Sequence, residues 1–201
     1  MVKALFGQRS GQTDSSFNTA AQQALSPGDA QAMAEILCAA AAVMPLTEAE
    51  AKIATTYMAA RQYDERQIMI EQGTKTNVDF MLWVLDGEAT FEAITPGTGE
   101  AVTVTVLGVG GTLGAMSMID GGSRSLQGVA SEPTRCAMLT RAQLQKLCRE
   151  QPAVGVKLMS VICLIVSLTL RDLTGKFKCH VRLNNVLNAE LRGFQSARMP
   201  L

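Results

Sequence analysis

Histidine is nearly missing from this sequence: His180 is the only one in 201 residues. Barrel enzymes that hold a catalytic metal on imidazoles need two or three histidines, so composition excludes that class. Serine–histidine or cysteine–histidine chemistry would require His180 to fold back onto a nucleophile, and no nucleophile-elbow motif is present. The chain is therefore expected to be non-enzymatic, with no catalytic residue, no metal and no cofactor. An excess of one charge is also lacking, because 18 basic residues are balanced by 18 acidic ones. A grip on nucleic acid normally needs a basic face, and Lys52 is the only basic residue between Gly28 and Ala60. The five cysteines form no C-x-x-C pair and their number is odd. They read as small buried hydrophobes in a reducing compartment rather than a disulfide framework. The stretch "MVKALFGQRSGQTDSS" has no apolar core of signal-peptide length, so a cytoplasmic location is expected. Leu158 to Leu170 is an uncharged run of 13 residues closed by Lys157 and Arg171. A membrane span takes about 20, so no membrane contact is expected.

What is present is an apolar fraction of 47%, enough for a core in one domain. Residues 1–25 are small and polar and read as a flexible arm. The folded domain is placed at 26–182, with helices at 27–60, a β-roll at 62–139 and helices at 140–182; residues 183–201 form a short tail. "PGDAQAMAEILCAAAAV", from Pro27 to Val43, favours helix, and Pro45 interrupts it. "LTEAEAKIATTYMAAR" follows, with Thr47 and Glu50 at capping-box spacing and Ala49, Ile53, Tyr57 and Ala60 at helical intervals. From Gln62 the runs are short. "RQIMIEQG", "DFMLWVLDGEATFEAI", "AVTVTVL", "SLQGVA" and "RCAML" are separated by Gly73, by Asp86-Gly87 and by "PGTG" at 96–99. Six or more short strands with turn residues between them predict a sandwich or barrel.

Helix returns at "TRAQLQKLCREQP", with Thr140 as a cap, and again after Pro152. The last helix carries two apolar stripes: Val154, Leu158, Val161, Ile165, Leu168, and Val156, Met159, Cys163, Val166, Leu170, Leu173. A helix that is apolar on two sides is buried on two sides. One side lies on the barrel. The other is covered by the same helix of a second chain, giving a homodimer, or by the N-terminal helices.

"GTLGAMSMIDGGSRS", from Gly111 to Ser125, carries the candidate site. A short helical turn starting near Gly114 would point free N–H groups at an anion, and Gly114 lets backbone approach closely. Arg124 supplies charge-assisted hydrogen bonds and Ser125 one more. In the bland alternative Arg124 is a solvated loop arginine and Ser123–Ser125 an ordinary turn. Val102, Val104 and Leu126 are candidates for apolar walls by alternation.

Taken in order, these segments resemble the cyclic nucleotide-binding domain family over roughly Pro45 to Phe177. "LTEAEAKIATTYMAARQYDERQIMIEQG" is similar to its leading helix and first strands, "DFMLWVLDGEATF" to its central hairpin, and "LGVGGTLGAMSMIDGGSRS" to its phosphate-binding cassette. The resemblance implies an α+β, mainly β fold: a double-stranded β-helix or jelly-roll β-roll with N-terminal helices and two C-terminal helices. It implies ligand-binding residues at Gly114, Ala115, Met116, Ser117, Arg124 and Ser125. The family cassette typically reads F-G-E, then about eight residues, then an arginine and a small residue, and the spacing from Ala115 to Arg124 is the usual one. Leu113 stands here for the aromatic and Ala115 for the glutamate, and Arg66 stands where an early strand usually has glycine. The glutamate accepts from the ribose 2′-hydroxyl in the family; alanine has no acceptor. The implied function is a regulatory sensor for a cyclic nucleotide, with a degenerate cassette, that signals through its helices or a protein partner. The alternatives are a receptor for another phosphate ligand such as cyclic di-GMP, and a ligand-free interaction scaffold. Only 21 residues follow His180, too few for the helix-turn-helix unit many relatives carry, so no nucleic-acid partner is expected.

Overall fold

The structure is a computed structural model describing residues 23–76, 78–95 and 97–197, with side chains described through residue 189. The arm expected at 1–25 lies, through residue 22, outside the described residues. The elements are α1 (Pro27–Ala39), α2 (Glu48–Thr55), β1 (Ala59–Tyr63), β2 (Ile68–Ile70), β3 (Phe80–Asp86), β4 (Ala89–Ile94), β5 (Ala101–Leu107), β6 (Thr112–Leu113), α3 (Ala115–Asp120), β7 (Gln127–Ala130), β8 (Thr134–Thr140), α4 (Arg141–Glu150) and α5 (Pro152–Ala197). Two antiparallel four-stranded sheets, ordered β1-β8-β3-β6 and β2-β7-β4-β5, form the jelly roll, with helices at both ends.

The helix starts follow capping chemistry. The Ser26 hydroxyl accepts from the Asp29 N–H, with Pro27 in the first turn. Thr47 and Glu50 close a full capping box on α2. The helix ends depart from sequence pattern. α1 stops at Ala39 rather than Val43, and Ala60, at helical spacing in sequence, belongs to β1. Pairing overrides propensity there: Ala60 N–H donates to Gln23 O, and Ala59 to Tyr63 pair along β8.

β3 explains why the barrel and helices are one body. All six residues from Phe80 to Leu85 are buried. Alternation sends Phe80, Leu82 and Val84 into the barrel with Leu113, Met69 and Met138. It sends Met81, Trp83 and Leu85 into a second core with Met33, Leu37, Leu147 and Leu158 from the helices. The Asp86-Gly87 turn between β3 and β4 needs its glycine: φ is +85°, and a Cβ would come within 2.6 Å of Pro133 O.

α5 is seated on this helical core through Val154, Leu158, Val161 and Ile162. Of the first stripe only Leu168 is exposed, and it borders the cleft described below. The second stripe is left largely uncovered: Val156 is 52% exposed and Leu170 65%. The N-terminal helices do not reach the far end of it. The helix also does not stop near 182. It continues unbroken to Ala197, so residues 183–197 prolong it. By length and composition α5 could cross a membrane. Its first turns are instead packed on the domain, and Lys157 pairs with Glu50 at 2.7 Å.

That pair ties α2 to α5 and has a pH signature. The hydrogen bonds from Lys157, with those from Thr47, pull the Glu50 carboxyl down to about 2. A carboxyl depressed in the folded state stabilises above its ordinary value and loses that contribution as pH falls through the folded one. Acid titration of folding should therefore show a decline between about pH 4.5 and pH 2 that Glu50→Gln flattens. An identical acid profile for the variant would mean the pair does not anchor α5.

Arg66 has φ +66° and is the one non-glycine with positive φ among the described residues. It occupies the position where the family resemblance calls for glycine. Left-handed backbone costs a side-chain-bearing residue about 1–2 kcal/mol. Arg66→Gly should raise the free energy of unfolding in urea by about 0.5–1 kcal/mol, the strain relieved less the backbone entropy glycine loses; an unchanged or lowered value would show that the turn is not strained.

Candidate ligand cleft

Gly114 begins the site. Its φ is +81°, and the chain turns there directly from β6 into α3. A Cβ at 114 would run into Arg124 Nη1 and come to 3.0 Å from Phe80 O. Glycine is thus required twice, by conformation and by the close approach of the arginine. At the other end of α3, Gly121 caps in the left-handed region, and Arg141 donates to Ser117 O and Met118 O. The short helix is held at both ends, which fixes residues 115–117.

Arg124 is not a solvated loop arginine: it is only 4% exposed. Its Nη1 donates to Gly114 O and its Nη2 to Phe80 O, both at 2.9 Å. Its guanidinium lies 4.6 Å from the centre of the Phe80 ring. Its backbone is fixed to Gly73 and Thr74. No carboxylate lies within ion-pair distance of it among the described residues. Burial pushes its pKa down to about 10, with Asp79 and Tyr63 only partly opposing. A buried cation bonded to neutral carbonyls and without a counter-ion is an unusual arrangement, since a buried charge is costly unless paired.

The cassette opens on a cleft of about 430 Å³, within the range of small-molecule sites. All six residues singled out in the sequence, Gly114, Ala115, Met116, Ser117, Arg124 and Ser125, line it. Val104 and Leu126 line it too, but Val102 does not and faces solvent. The Ser117 hydroxyl is spent on Ser123 O. The wall that sequence reasoning missed is α5, which contributes Val166, Thr169, Asp172, Leu173 and Lys176. Asp172 and Lys176 pair at 2.6 Å, and Lys176 also donates to Val104 O, bridging helix and sheet across the cleft. The second apolar stripe held the signal for Val166 and Leu173. The Phe80 and Gly114 carbonyls carry no side-chain signal and were not findable. Among the described residues no group of three or more potential metal ligands occurs.

With this geometry in hand, comparison with known proteins is specific. The family described as cyclic nucleotide-binding domain matches residues 60–151. No curated protein sequence matches the chain. Among solved structures, a cyclic nucleotide-binding domain from Methylobacillus flagellatus is 27% identical with a TM-score of 0.65, covering 71% of this chain and 79% of that one. The catabolite activator protein of Thermus thermophilus is 26% identical with a TM-score of 0.56, covering 68% of this chain and 61% of that one. The regulatory domain of Toxoplasma gondii PKA with cAMP, 17% identical with a TM-score of 0.53 over 61% of this chain and 45% of that one, shares the fold.

Proposed function

We propose, from the match of residues 60–151 to the cyclic nucleotide-binding domain family, that the chain is a non-enzymatic regulatory module of that family. It takes a phosphate-bearing ligand into the cleft between the cassette and α5. The observation that carries this reading is Arg124: a buried guanidinium with no carboxylate at ion-pair distance among the described residues, bordering a cleft that all six candidate residues line. An anion there would supply the charge that the two carbonyls cannot. The ligand contacts are Gly114, Ala115, Met116, Ser117, Arg124 and Ser125. A ligand that fills the cleft competes with the Lys176 to Val104 bridge, so occupancy changes the position of α5. Coupling of that kind requires only that the ligand bind the two helix positions with different affinity.

Cyclic AMP and cyclic GMP are weak ligands in this reading, because Ala115 offers no acceptor to a ribose hydroxyl. Calorimetric titration with cyclic AMP, cyclic GMP and cyclic di-GMP tests it for those compounds, and no heat at millimolar concentration would remove them. In this reading the uncovered stripe of α5 is the output surface, for self-association or a protein partner, in a cytoplasmic protein with no nucleic-acid or membrane partner. Sedimentation equilibrium should give a dimer, and Leu170→Asp should give a monomer. A wild-type chain that stays monomeric at high concentration would refute the dimer and leave the scaffold for another protein.

A further inference from the structure

The polar side chains of the cleft are Thr105, Thr112, Ser117, Arg124, Ser125, Thr169, Asp172 and Lys176, and its only carboxylate and two of its five hydroxyls are already engaged. Its carboxylate is Asp172, which is paired to Lys176 at 2.6 Å. The Thr169 hydroxyl donates to Ile165 O and the Ser117 hydroxyl to Ser123 O. Ala115, facing the cleft where a sugar hydroxyl would need an acceptor, has none. Against this stand apolar walls on every side: Ile70, Phe91 and Leu107 from the sheets, Leu126 from the loop, Val166 and Leu173 from α5. Thr105, Thr112 and Ser125 are the hydroxyls left to meet a ligand's polar groups, and each ligand hydroxyl buried beyond their reach costs about 1–3 kcal/mol. An apolar body of the same size is rewarded for every Å² it buries. The exception is the Arg124 corner, where a buried cation has no carboxylate within ion-pair distance among the described residues.

We propose that the cleft takes an amphiphilic organic phosphate: an anionic head beside Arg124 and an apolar, hydroxyl-poor body along Val104, Leu126 and Leu173. This rests on the reading of the cleft as a ligand site, and it replaces the nucleoside by an apolar body as the part recognised. The volume of about 430 Å³ admits a fused two-ring system with its phosphate.

Three probes separate the contributions in calorimetric titrations of the full chain: 1-naphthyl phosphate, 1-naphthol and cyclic AMP. 1-Naphthyl phosphate should bind at least about tenfold more tightly than either of the others, which is about 1.4 kcal/mol. Val104→Asp should weaken it about tenfold, while Val102→Asp, on the same strand but outside the cleft, leaves it unchanged. Arg124→Lys, which keeps the charge but loses the fork, should weaken the phosphate and leave naphthol alone. Equal affinity for naphthol and its phosphate would overturn the anionic head. Cyclic AMP binding as tightly as naphthyl phosphate would overturn the apolar body while sparing the ligand site. No heat from any of the three would overturn the ligand site itself.

Discussion

Arg124→Ala should lower the free energy of unfolding by about 3 kcal/mol and abolish binding of any phosphate ligand. The estimate follows from two buried hydrogen bonds from a charged donor, each contributing about 1.5–3 kcal/mol, offset in part by release of a desolvated charge. The alanine leaves Gly114 O and Phe80 O without the donors they have at 2.9 Å. It also removes the cation from the Phe80 ring. Phe80 opens β3, the strand shared by both cores, so the damage reaches beyond the cassette. Urea unfolding of the variant measures it directly. A loss below about 1 kcal/mol would mean that the guanidinium is tolerated in the fold rather than supporting it. Binding lost with stability retained would be the signature of a purely ligand-directed arginine.

Ala115→Glu should raise affinity for cyclic AMP about tenfold to a hundredfold. Residue 115 lines the cleft at the first turn of α3, so a carboxylate there restores the acceptor that the family places against the ribose. One hydrogen bond to a charged acceptor contributes about 1.5–3 kcal/mol, which sets the range. The same variant should weaken 1-naphthyl phosphate, because the new charge lies beside its apolar body. Titration of wild type and variant with both compounds reads the two effects together. Unchanged affinity for cyclic AMP would show that the cleft does not seat a nucleotide in the family orientation.

Much of this architecture was legible because local chemistry and global fold agree. The stretch "AVTVTVL" alternates and is β5 from Ala101 to Leu107. Asp86-Gly87 marks the β3–β4 turn, and the spacing from Gly114 to Arg124 marks the cassette. The errors lie at element ends, where tertiary pairing or simple helix continuation decides. Ala60 has helical spacing but is drawn into β1 by β8. Residues 183–197 look like a separate short tail but carry on α5. The site was half legible. The six residues singled out in sequence all line one cleft. What holds Arg124 in place was not visible, because its partners are two backbone carbonyls, and any residue type supplies a carbonyl. Arg66 shows the converse. A departure from the family pattern appeared in sequence as an oddity and is in the structure a strained left-handed residue.

The central claim is that a ligand enters between the cassette and α5 and is felt by both. Amide hydrogen exchange with and without 1-naphthyl phosphate tests it most directly. Slowed exchange is expected in residues 112–126 and, in the same experiment, in residues 166–176, with residues 152–163 unchanged. Protection confined to other segments, or no change in either region at saturating ligand, would contradict it.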